Sequence, residues 1–80
     1  MKHALIVGID KYSSGEISDL NGCVNDARSM NSLAIRYGFD NIKVLLDGAA
    51  TQRNIVRELK KLMKSAKRGD YILYYHSDRS

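Results

Sequence analysis

The stretch ALIVGID, residues 4–10, is an unbroken apolar run closed by an aspartate. A strand with one face in water alternates apolar and polar residues, whereas a strand covered on both faces reads as a continuous apolar run. Residues 4–9 therefore predict a central strand with a layer of helix on each side. Downstream, Val24, Ala27, Met30, Ala34 and Tyr37 recur at three- and four-residue spacing. That spacing predicts a helix from Cys23 to Tyr37, ended by Gly38. Residues 42–46 form a β-rich run closed by the turn pair Asp47-Gly48. Thr51 suits the N-cap of a second helix, whose apolar stripe is Ile55, Val56, Leu59, Leu62, Met63 and Ala66 and which Gly69 stops. Residues 71–75 then read as a third strand.

The resulting β-α-β-α-β order argues for a parallel sheet with helical crossovers, an α/β architecture of three layers. A flavodoxin-like strand order of 2-1-3 is the expected solution, with right-handed crossovers sending the two helices to opposite faces. Ligands of such sheets bind beyond the carboxyl ends of the strands, where neighbouring connections diverge. Three stretches converge there: Asp10 with the loop to Leu20, the start of the first helix around Cys23 and Asp26, and His76-Ser77.

Composition sets the outer bounds. With 80 residues, 44% hydrophobic and 28% charged, the chain reads as one globular domain, residues 1–80, without linker, repeat or proline. A domain this small buries only roughly 60% of the surface of its unfolded chain. No apolar run approaches the length of about 20 residues that spans a bilayer, and Asp10 interrupts the N-terminal run too early for a signal peptide. With a single cysteine, Cys23, a cytoplasmic, reducing setting is expected. The net charge of +4 is uneven: residues 51–68 hold seven basic residues against Glu58 alone, +6, which leaves −2 for the rest. Without aromatic residues to stack on bases, this basic helix reads as a solvated face, and neither nucleic acid nor membrane is expected as a partner.

The chemistry on offer at the carboxyl edge is narrow. Cys23, near a helix start, is either a small packing residue or a thiol made acidic by the helix dipole. A nucleophilic thiol needs a base, and His76 is the histidine at this edge, since His3 precedes the first strand. Asp26, one turn beyond Cys23, either balances the dipole or presents a carboxylate to a cationic group. Asp10 is either a turn former or a site residue. No phosphate-binding glycine pattern follows the first strand, and one cysteine with two distant histidines makes no metal cluster, so no cofactor is expected.

In order and spacing, ALIVGIDKY, DLNGCVNDARSM, RYGF, LLDGAATQRNI and GDYILYYHS resemble the opening half of the caspase-like cysteine peptidases. The likeness is to the metacaspase and bacterial caspase-like branch, and it runs over essentially the whole chain. The resemblance implies that the third strand leads into a Ser-Gly-His-Gly turn holding the catalytic histidine, with the nucleophilic cysteine after a further strand. Ser77 matches the serine of that turn, Asp78 the first glycine, Arg79 the catalytic histidine and Ser80 the second glycine. His76 falls three residues before the histidine position, and Cys23 matches an auxiliary cysteine of the cleft. The resemblance further implies cleavage after Arg or Lys, with Cys23, Asp26 and Ser77 lining the specificity pocket; the acidic calcium ligands usual in the family have no counterpart here. The chain is thus expected to be the N-terminal part of a basic-specific cysteine endopeptidase, inactive as it stands. The alternatives are a non-catalytic module that self-associates through the open edge of the third strand, and a hydrolase using an improvised Cys23–His76 pair.

Overall fold

A computed structural model of the chain describes residues 1–10 and 22–78. It contains strand β1 (Lys2–Ile9), helix α1 (Gly22–Arg36), strand β2 (Asn41–Leu46), a 3-10 turn (Asp47–Ala49), helix α2 (Gln52–Ser65) and strand β3 (Tyr71–Asp78). The three strands form one parallel sheet in the order β2-β1-β3. The expected 2-1-3 arrangement is therefore the observed one.

β1 is central because it can be buried on both sides, and residues 3–8 are all buried. Its side chains alternate between two cores. Ala4 and Ile6 join Ala27 and Ala34 of α1, with Met30, Leu73 and Tyr75 packed around them. Leu5 and Val7 join Leu45, Ala50 and Leu62, with Ile55 and Leu59 of α2 against them. The helices thus cover opposite faces, as right-handed crossovers require.

The helix ends follow local chemistry. Gly38, at φ +80°, closes α1: its N–H donates to Ile35 O, and that of Phe39 donates to Ala34 O, each at 3.0 Å. This paired pattern satisfies the last carbonyls of the helix and needs a residue at ease with positive φ. Thr51 Oγ1 accepts from the N–H of Asn54 at 3.1 Å and caps α2 as expected.

Three expectations change. β3 runs three residues past Tyr75, because its register against β1 continues through His76, Ser77 and Asp78, opposite Val7, Gly8 and Ile9. Tyr37 lies just past the end of α1 at Arg36 and is exposed, while Val56 and Met63 share the apolar spacing of α2 yet are exposed, since α2 turns Ile55, Leu59 and Leu62 onto the sheet. Finally, α1 is already helical at Gly22, which puts Asp26 in its second turn.

At the amino edge of the sheet, a buried histidine ties the three strand starts together. His3 Nε2 donates to Asp70 Oδ2 at 2.9 Å, while Asn41 Nδ2 donates to His3 Nδ1 at 3.0 Å, an arrangement that suits the neutral ring. Asp70 also accepts from the N-terminal ammonium of Met1 at 2.8 Å and from Lys67 N–H at 2.9 Å. The ammonium foremost, then Lys67 N–H and His3, hold the Asp70 carboxyl well below the usual carboxylate range. In the unfolded chain Asp70 returns to its ordinary value of 3.8 and binds a proton more readily than the folded chain does. Its stabilising contribution is therefore complete above that value and is lost as pH falls towards the depressed folded one. Urea unfolding at pH 6 and pH 3 checks this: Asp70→Asn should lower the midpoint at pH 6 and show a smaller acid loss than the unmodified chain.

Candidate functional site

The carboxyl ends of the strands are organised around Asp10, the residue that follows β1. It is buried, and its two carboxylate oxygens accept from the backbone N–H groups of Cys23 at 3.0 Å and Val24 at 2.9 Å. The first N–H groups of a helix have no partner within it, and a carboxylate there both satisfies them and complements the positive end of the dipole. Asp10 is thus a capping group supplied from the preceding strand. Its own N–H donates to Asp47 Oδ1 at 2.9 Å, so the residue following β2 holds the residue following β1, which holds α1.

Gly8 makes the helix start close to the sheet. A Cβ at this position would lie 2.7 Å from Ala27 Cβ and 2.8 Å from the carbonyl oxygen of Cys23. Only a residue without a side chain allows α1 to come so near β1. Gly8 in turn pairs with Ser77 of β3. Ser77 alternates with Tyr75 on the α1 side of the sheet and is half-buried. The N-terminal turns of α1, with half-buried Cys23 and exposed Asp26, therefore share this edge and this face with Ser77.

His76 lies on the other face. It pairs with Val7, which belongs to the core beneath α2. Its Nδ1 is 2.8 Å from the Tyr74 hydroxyl and its Nε2 donates to Asp78 Oδ2 at 3.0 Å, so the imidazole is engaged along its own strand. The sheet separates it from the α1 side, where Cys23 sits. Arg79, at the histidine position of the family turn, and the loop after Asp10 fall outside the described residues.

Asp10, which the sequence leaves open as a turn former or a site residue, caps α1. With the helix start closed by Asp10, the second-turn carboxylate of Asp26 is not the group that caps α1. Among the described residues no group of three His, Cys, Asp or Glu side chains could hold a metal ion, and no helix is long and apolar enough to cross a membrane.

The model of the caspase domain family matches residues 1–78. Metacaspase-6 of Arabidopsis thaliana is 42% identical over 84 residues, which takes in 95% of this chain and 22% of the relative. Metacaspase-4 of the same plant is 42% identical over 84 residues, covering 95% of this chain and 20% of the relative. Metacaspase-1 of Meyerozyma guilliermondii is 33% identical over 85 residues, again covering 95% of this chain and 20% of the relative. The chain spans about a fifth of the length of these relatives. No solved structure matches it. With its central apolar strand, its Asp10-capped helix and a family match from Met1 to Asp78, the chain belongs to the caspase-domain family of cysteine peptidases, of the metacaspase type.

Proposed function

We propose that these 80 residues form the substrate-binding side of a metacaspase-type cysteine endopeptidase site that accepts Arg or Lys, and that by themselves they carry no working dyad. The observation that carries this reading is the placement of Asp26. Its carboxylate is exposed one turn along from Cys23, at the edge and on the face that hold Ser77, and it is not needed to cap α1. A carboxylate so placed suits a guanidinium or ammonium side chain. The positions that line the basic-specific pocket in the resembling family are these three, Cys23, Asp26 and Ser77. A reducing, cytoplasmic setting suits the free thiol of Cys23.

Inactivity follows from the groups on hand. Arg79 stands where the family has its histidine, and a guanidinium stays protonated and cannot serve as a general base. Cys23 has no imidazole on its own face of the sheet, because His76 is turned to the other. Incubation of the chain, and of Arg79→His, with fluorogenic peptides ending in Arg or Lys tests this. Neither protein should release the fluorophore, and turnover by the unmodified chain would show that a dyad is present after all.

A second reading, a self-associating module, draws on β3. Among the described residues it is an edge strand, with Tyr71 66% and Ile72 51% exposed, and open edges invite pairing with another chain. Sedimentation velocity separates the two: a module of this kind dimerises as concentration rises, and a monomer throughout would remove it.

A further inference from the structure

The two helices start on opposite faces of the sheet, yet hydrogen bonds and short backbone steps join their starts across its carboxyl edge. Asn54, in the first turn of α2, donates from its backbone to Thr51 Oγ1 at 3.1 Å and from its side chain to Ala49 O at 2.9 Å. Ala50, buried in the core beneath α2, donates its N–H to Asp47 O at 2.9 Å. The Asp47 side chain accepts the N–H of Asp10, and Asp10 accepts the N–H groups of Cys23 and Val24. Asp47 is the joint between the turn that opens α2 and the carboxylate that opens α1.

A side chain is needed at this joint because the ladder has ended. Pairing of β1 with β2 stops at Gly8 opposite Leu46, and Asp10 stands two residues beyond that pair. On the β2 side its N–H finds the Asp47 carboxylate in place of a ladder carbonyl. Asp47 reaches it from a backbone at φ 49°, in the left-handed region that aspartate and asparagine visit more readily than most residues. Asp10 is 3% exposed, and a buried N–H is costly to leave without an acceptor. The bond therefore fixes the backbone from which the capping carboxylate hangs. Because hydrogen bonds are directional, a shift of that backbone passes through both carboxylate oxygens to the first turn of α1.

On the reading of Cys23, Asp26 and Ser77 as the lining of a basic-specific pocket, we propose that Asp47 is a positioning residue of that pocket. Through Asp10 it sets where the start of α1, with Cys23 and Asp26, stands against Ser77. A guanidinium meets a carboxylate through directional paired bonds, so a displaced Asp26 holds it less well. Asp47 acts by its bond to Asp10 and not by its charge.

Three variants of the 80-residue chain separate these roles. Asp47→Asn keeps an acceptor oxygen and tolerance of the left-handed backbone but removes the charge. Asp47→Gly keeps the backbone conformation and removes the acceptor. Asp70→Asn, at the opposite edge of the sheet, is the control for lost stability alone. Nuclear magnetic resonance reads the exchange of the Cys23 and Val24 amides relative to the slowest amides of β1, and the affinity for N-acetyl-arginine amide. In Asp47→Gly the two α1 amides should exchange about tenfold faster or more, and the affinity should fall about threefold or more. Asp47→Asn should stay within about twofold of the unmodified chain in both, and Asp70→Asn within about twofold in affinity. Unchanged exchange in Asp47→Gly would overturn the proposal, as would an equal loss in Asp47→Asn, which would make charge the cause. An arginine affinity that survives while the two amides open would overturn it as well. Absence of arginine binding by the unmodified chain would count against the pocket, and the exchange arm would still decide whether Asp47 sets the start of α1.

Discussion

Asp10→Ala is expected to lower the stability of the fold by about 2–3 kcal/mol, since hydrogen bonds to a charged group contribute about 1.5–3 kcal/mol and loss of a helix cap about 0.5–2. The two contributions overlap, because the bonds to Cys23 and Val24 are the cap. For a domain of this size, with a urea slope of about 1 kcal/mol/M, the midpoint should fall by about 2–3 M. Asp10→Asn keeps one acceptor oxygen but turns an N–H group towards the helix start, so about half the loss should remain. The effect should also be local. With its cap removed, the first turn of α1 opens more often, so the amides of Cys23 and Val24 exchange faster and Cys23 reacts sooner with iodoacetamide. Unchanged stability in Asp10→Ala would mean that α1 is held by other contacts and that the edge is not built on this carboxylate.

The second large effect belongs to Gly8. Gly8→Ala places a methyl 2.7 Å from Ala27 Cβ and 2.8 Å from the Cys23 carbonyl, and one of those neighbours is backbone, which cannot swing aside. Overpacking of this kind costs about 1–3 kcal/mol, and Gly8→Val should exceed that range. Ala27→Gly in the Gly8→Ala background separates the two clashes. It removes the first and leaves the second, so denaturant unfolding should show partial and not full recovery. Since Ser77 sits across from Gly8, pushing α1 off β1 also separates the Cys23–Asp26 turn from Ser77.

The parts of the fold that were legible in sequence are those decided by neighbours along the chain. The apolar run of residues 4–9 announced a strand buried on both faces; Gly38 and Thr51 announced helix ends, and both act there through short-range hydrogen bonds. What escaped depends on partners distant in sequence. Asp10 caps a helix thirteen and fourteen residues further on, and no local pattern distinguishes such a cap from a turn former. The length of β3 is set by its register against β1, not by the turn residues that end it. Periodicity put Val56 and Met63 on the same stripe as Leu59, but it cannot tell which part of that stripe turns onto the sheet. The candidate site divides in the same way. Cys23, Asp26 and Ser77 could be placed at one edge from topology. That His76 belongs to the other face became visible only once the strand was seen to continue past it, since each residue added to a strand changes sides.

A nuclear magnetic resonance titration tests the central proposal, that this edge receives a basic side chain. The labelled 80-residue chain is titrated with N-acetyl-arginine amide and, in parallel, with N-acetyl-norleucine amide, which has a similar reach but no charge. The amides of Cys23, Asp26 and Ser77 should shift with the arginine ligand, in the millimolar range, and Asp26→Asn should weaken that response by about fivefold or more. Equal shifts with norleucine, or an arginine affinity untouched by Asp26→Asn, would contradict it.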